Sequence, residues 1–156
     1  MKSKEEFKSV LYTIGYQGIT IDTFFTLCRK YNIQQVIDVR SNPFSRKFGF
    51  SKKVLANLCK QQNISYYHIP ELGIPADKRK NLNSSEDYQK LFEYYEKEIL
   101  SHQISTIKKV LNLILEKPSV LLCMESNPSL CHRTRLAKKL SRYLNLDIYH
   151  INQNEV

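Results

Sequence analysis

Glycine is scarce, with four residues in 156, and no two of them frame a G-x-G-x-x-G or Walker-type run. A phosphate-cradling glycine loop is therefore excluded, and with it the NAD(P) and Walker modes of nucleotide binding. No stretch approaches the ~18 apolar residues of a membrane span, and the N-terminus lacks an apolar signal core. The expectation is a cytoplasmic protein without membrane contact. The four cysteines, Cys28, Cys59, Cys123 and Cys131, contain no C-x2-C pair. A reducing compartment gives them no reason to form disulfides, and Cys28 and Cys59 fall on apolar helix faces as core residues. The C-x5-R anion loop of phosphatases and sulfurtransferases is missing too. Gln34, Ser65 and Ser129 stand where its arginine would follow Cys28, Cys59 and Cys123.

What is present fits one globular domain. The length suffices for a full core but not for two comfortable ones. That domain is expected over residues 11–151, with 1–10 and 152–156 as flexible termini. Lys and Arg outnumber Asp and Glu by 24 to 15, a net charge of +9, which points to polyanionic partners: a phosphate-bearing small molecule or nucleic acid. A lysine-rich surface kept soluble by its charge explains the same balance. The cations are scattered, so no basic tail is implied.

Short apolar segments alternate with amphipathic ones. Leu11–Gly15, Val36–Arg40, Tyr66–Ile69, Val120–Cys123 and Asp147–Ile151 read as strands. Between them, helical spacing of apolar residues predicts a helix capped by Asp22, one capped by Ser51, and two over Glu86–Leu100 and Ile104–Glu116. A last helix is predicted from Pro128 to about Leu144. Asn32 and Asn63 close the first two. This order makes an α/β protein of three layers, a mostly parallel five-stranded sheet with helices on both faces, Rossmann-like or flavodoxin-like in kind. Ligands of such sheets bind beyond the carboxyl ends of the strands, where Gly15-Tyr16, Asp38–Arg40, His68–Glu71 and Cys123–Arg133 fall.

The stretch Val120–Arg133 organises the rest. A buried strand runs into a helix start, and the turn gathers two thiols, a carboxylate, an imidazole and a guanidinium. Cys123 and Glu125 share one strand face, and a helix N-terminus is a natural anion seat. Cations at Arg133 and Arg135 oppose the helix dipole, and either an anionic ligand or a neighbouring carboxylate accounts for them. Asp38, mid-strand between Ile37 and Val39, should be buried and accept at least two hydrogen bonds, bracing the loops. Arg40 can be fixed by Asp38 and bind an anion. Glu71, between Pro70 and Pro75, is a candidate acid or base. Tyr16, Phe44, Phe48, Phe50 and Tyr67 could stack on a base or simply cover the core.

Cys123, Cys131 and His132, with His68 or Glu125 as a fourth ligand, could hold zinc. The C-x7-C-H spacing matches no common zinc knuckle, so no cofactor is expected and the cysteines read first as packing residues. A thiolate nucleophile beside the helix start is a further alternative.

Four stretches carry a family resemblance: Thr13–Tyr16, Ile37–Pro43, His68–Gly73, and Cys123–Glu125 with Cys131–Arg133. Together they resemble the family called domain of unknown function 488, over about residues 11–150. The resemblance implies a small α/β domain without an assigned reaction, so it supports fold and site location and leaves the chemistry open. The expected function is that of an enzyme acting on a nucleotide, nucleobase or nucleic acid. Glu71, Glu125 and His132 would do acid–base work, and Gly15, Tyr16, Arg40, Arg46, His68, Cys123, Cys131 and Arg133 would form the substrate site. The alternative is a non-catalytic nucleic-acid-binding module using surface charges such as Lys52, Lys53, Lys108 and Lys109.

Overall fold

Alternation of apolar residues along short strands buries both faces of one sheet. In the computed structural model, which describes residues 9–156, five parallel strands lie in the order β3-β2-β4-β1-β5. They are β1 (Ser9–Gly15), β2 (Gln35–Asp38), β3 (Ser65–His68), β4 (Ser119–Cys123) and β5 (Leu146–His150). The helices are α1 (Ile21–Lys30), α2 (Lys52–Gln61), α3 (Ser85–Tyr94), α4 (Ile104–Glu116) and α5 (His132–Ser141). The three-layer architecture is the expected one, although the strand order differs from those of the Rossmann and flavodoxin folds. Residues 1–8 of the expected flexible N-terminus lie outside the described residues.

Ile14, Val36, Val120 and Leu122 pack under α1 and α2 with Phe24, Phe50, Leu55, Cys28 and Cys59. Leu11, Ile37 and Leu121 turn to the other face, against Tyr95, Ile107, Leu136 and Leu140 from the α3–α5 side. Each such fully buried side chain contributes about 1.5–3 kcal/mol. Helices after β1 and β2 cover one face and α5 after β4 covers the other. The chain therefore leaves β4 and its neighbours in opposite directions, which opens a crevice at their carboxyl ends.

Several boundaries differ from expectation. Thr20 rather than Asp22 caps α1, accepting from the Thr23 N–H at 3.1 Å. β2 stops at Asp38, so Arg40 lies in the loop beyond the strand. The helix expected to run to Leu100 is α-helical only to Tyr94, then widens into a π turn (Tyr95–Ile99) and tightens into a 3-10 turn (Leu100–His102). Tyr95 is fully buried there and its hydroxyl donates to the Leu72 carbonyl at 2.6 Å. The helix expected from Pro128 is a 3-10 turn (Pro128–Leu130) capped by Asn127. Cys131 is then extended (φ −134°, ψ 139°) before α5 begins at His132. Residues 152–156, expected as a flexible tail, include the Asn152-capped 3-10 turn Gln153–Glu155, and Lys30 Nζ donates to the Glu155 carbonyl. Among the described residues no helix is long and apolar enough to cross a membrane.

Candidate functional site

The crevice holds a cavity of about 390 Å³, within the ~300–1,000 Å³ range of small-molecule sites. Its polar wall is Arg40, Asn42, Arg79, Glu125 and His132, and its apolar wall includes Tyr16, Phe44, Tyr88 and Phe92.

Arg40 is 5% exposed. Its Nε donates to Asp38 Oδ1 at 2.8 Å and its Nη2 to Asp38 Oδ2 at 2.7 Å. The backbone N–H of Arg40 also reaches Asp38 Oδ1, and the Tyr66 hydroxyl donates to Oδ2. Asp38 thus has the buried, multiply bonded position foreseen for it, with donors from Arg40 and Tyr66 rather than from the loop 41–45. Burial works against the Arg40 charge, but the Asp38 carboxylate keeps the guanidinium firmly protonated. Its plane lies over the Tyr16 ring, 5.2 Å from the centroid, and Tyr16 is itself stacked on Phe50 at 4.6 Å. The remaining nitrogen, Nη1, is buried and has no hydrogen-bond partner.

Arg79 comes from the 3-10 turn Ala76–Arg79. Its Nη1 lies 3.8 Å from Glu125 Oε1, and its Nε is buried without a partner. Arg79 is thus the cation that faces the Glu125 carboxylate, while Arg40 is paired with Asp38. Burial, and then the negative charge of Cys131, raises Glu125 above the usual carboxylate range.

Behind Glu125 lies a compact polar cluster. Cys123 Sγ is 3.3 Å from Glu125 Oε2 and 3.6 Å from His132 Nδ1, and Cys131 Sγ is 3.9 Å from the same nitrogen. His132 Nε2 sits 2.9 Å from the Val39 carbonyl, which can only accept, so this nitrogen carries the proton. Burial opposes charge on Cys131, but a hydrogen bond from Cys123 and the cations of His132 and Arg133 hold it well below the usual thiol range. The same Cys131 bond, then burial, pushes Cys123 up. Burial also opposes the His132 charge, yet the Cys131 thiolate raises its basicity. The three donor atoms Cys123 Sγ, Cys131 Sγ and His132 Nδ1 lie within 4.8 Å of one another, a set able to hold a metal ion.

Of the residues expected here, Tyr16, Arg40, Glu125 and His132 line the cavity. Cys123 and Cys131 stand behind it, each 1% exposed. Gly15 carries the close approach of β1 to the β4 loop, since a Cβ there would meet the Glu125 carbonyl oxygen at 1.7 Å. Arg133, expected to hold substrate, is wholly buried. It donates from Nε to Thr13 Oγ1 at 3.2 Å and from Nη1 to the Glu125 carbonyl at 2.6 Å, and so clamps the loop. His68 Nε2 bonds the Arg40 carbonyl at 2.7 Å. Glu71 lies exposed on the 3-10 turn Pro70–Leu72, and Arg46 is exposed on the loop after β2; neither lines the cavity. Arg79, Tyr88 and Phe92 were not foreseen as site residues: the segment that carries Arg79 reads only as polar surface, and Tyr88 and Phe92 lie on α3.

Residues 20–140 match the family model described as Domain of unknown function DUF488. No curated protein and no solved structure matches the chain.

Proposed function

The chain belongs to the DUF488 family, and from the site its own residues build we propose that it is an enzyme acting on a phosphate-bearing nucleotide, nucleobase or nucleic-acid substrate. The observation that carries this reading is the pair of guanidinium groups, Arg40 and Arg79, on the wall of one cavity. A phosphate oxygen is the acceptor that guanidinium geometry suits best.

In this reading Arg40 and Arg79 hold the anion. Arg40 is prealigned because two of its nitrogens are locked on Asp38. Phe44, exposed at the cavity rim, and Tyr88 offer faces for a planar base. Glu125 is the acid–base group and lies on the cavity wall within reach of the bound molecule, while His132 behind it holds Nε2 on the Val39 carbonyl and Nδ1 toward the two sulfurs.

The binding-module alternative draws less support. Lys52 and Lys53 begin α2, while Lys108 and Lys109 lie on α4, across the sheet from it, so these charges form no single footprint. A thiol nucleophile is disfavoured by the burial of both sulfurs behind the cavity wall.

The test is a thermal-shift panel of nucleoside monophosphates, nucleobases and short DNA and RNA oligomers, followed by turnover assays on the compounds that bind. A ligand at 100 times its Kd adds about 2.7 kcal/mol, a rise of about 5–10 °C for a chain of this size. The expected result is such a shift for a phosphate-bearing compound, with turnover lost in Glu125→Gln while binding persists. If wild-type binding survives Arg79→Gln unchanged, or Glu125→Gln turns substrate over normally, the reading is wrong.

A further inference from the structure

The strand-end cluster has the form of a metal site. Cys123 ends β4, and Cys131 and His132 follow where the chain is extended and then enters α5, with both sulfurs and one ring nitrogen within 4.8 Å of one another. A tetrahedral zinc ion with Zn–S near 2.3 Å and Zn–N near 2.05 Å needs S···N separations of about 3.5 Å. The separations are 3.6 and 3.9 Å. His132 presents Nδ1 to the sulfurs while Nε2–H is held by the Val39 carbonyl at 2.9 Å. That backbone bond fixes the tautomer and ring orientation a ligating histidine needs. The Tyr95 ring, edge-on at 5.3 Å, closes the other side.

We propose that Cys123 Sγ, Cys131 Sγ and His132 Nδ1 bind one zinc ion, with the fourth position open on the side of Glu125. Two thiolates and a neutral imidazole around a dication leave no net charge, which suits a site whose three ligands are each no more than 3% exposed. Three protein ligands and an open position are the arrangement of catalytic rather than structural zinc. Glu125 Oε2 lies 3.3 Å from Cys123 Sγ and Glu125 lines the cavity, so a water or substrate oxygen in that position would meet the carboxylate. The proposal goes beyond the cavity reading and does not depend on it, since metal content is measured without a substrate.

The experiment is elemental analysis of the full chain, purified untagged in reducing buffer with zinc supplied during expression. One zinc per chain is expected, falling to background in Cys131→Ala and in His132→Ala. Because those variants remove buried groups and risk misfolding, a second measurement uses the wild-type chain. It is stripped with a chelator and titrated with cobalt(II). Visible bands of a tetrahedral ion and a near-ultraviolet thiolate-to-cobalt band should saturate together at one equivalent, and zinc should abolish both. Background zinc in the wild type with no thiolate-to-cobalt band overturns the proposal. Zinc retained in both folded variants overturns it equally, because the ion then sits elsewhere.

Discussion

Arg40 meets Asp38 in a bidentate pair, Nε to Oδ1 at 2.8 Å and Nη2 to Oδ2 at 2.7 Å, with both side chains buried. The pair holds a guanidinium that lines the cavity and lies over the Tyr16 ring. Asp38→Ala would strand the Arg40 charge and the Tyr66 hydroxyl together. The expected loss is about 3–5 kcal/mol in urea unfolding, with a smaller loss in Asp38→Asn. An Asp38→Ala variant as stable as wild type would show that the pair does not hold the loop.

Gly15 is where β1 packs closely against the backbone of Glu125 and Ser126 in the loop after β4. With a Cβ 1.7 Å from the Glu125 carbonyl oxygen, Gly15→Ala must push the β4 loop away from β1. Overpacking of this kind costs about 1–3 kcal/mol, and the displaced Glu125 should weaken ligand binding as well. Urea unfolding and the ligand thermal shift, measured on the same variant, check both halves of this expectation.

His150 ends β5 with Nδ1 2.6 Å from Thr13 Oγ1. Burial first, and then the Arg133 charge, hold its pKa below the ordinary 6.5. A depressed pKa means that protonation is harder in the folded state. The contribution of His150 to stability is thus full above about pH 6.5 and is lost as pH falls toward its folded value. Melting temperatures across that window should fall more steeply for wild type than for His150→Asn. Parallel curves would contradict the assignment.

Cys28 on α1 and Cys59 on α2 face the core, and burial pushes both thiols up to about 12. Neither supplies a thiolate at neutral pH, so mass spectrometry after iodoacetamide treatment should find both unmodified in the native protein and both alkylated after denaturation. Rapid native labelling of either would place it at the surface.

The sheet and the helix faces were legible because strand period and helix period are local properties of the chain. The pairing of Asp38 with Arg40 was legible for a similar reason, as residues two apart project to one side of an extended segment. The break at Cys131 was not. Pro128 is a good first residue for a helix, and the partner of Cys131 is Cys123 at the β4 end, which only the tertiary fold brings near. Arg79 was hidden differently. Its neighbours Asp77, Lys78 and Lys80 read as solvated surface, and nothing local signals that the turn folds back over Glu125. Glu71 and Arg46 had the right chemistry at the right strand ends, but their side chains point outward.

The central claim is that a phosphate group sits between Arg40 and Arg79. The most direct measurement is titration of nucleoside monophosphates followed by phosphorus NMR, with wild type, Arg79→Gln and Arg46→Gln compared in parallel. The account predicts a saturable shift for wild type, the same shift with Arg46→Gln, and binding weakened at least about tenfold with Arg79→Gln, equivalent to about 1.4 kcal/mol. A wild-type chain that leaves every phosphorus signal unmoved, or an Arg79→Gln variant that binds as tightly as wild type, would contradict it.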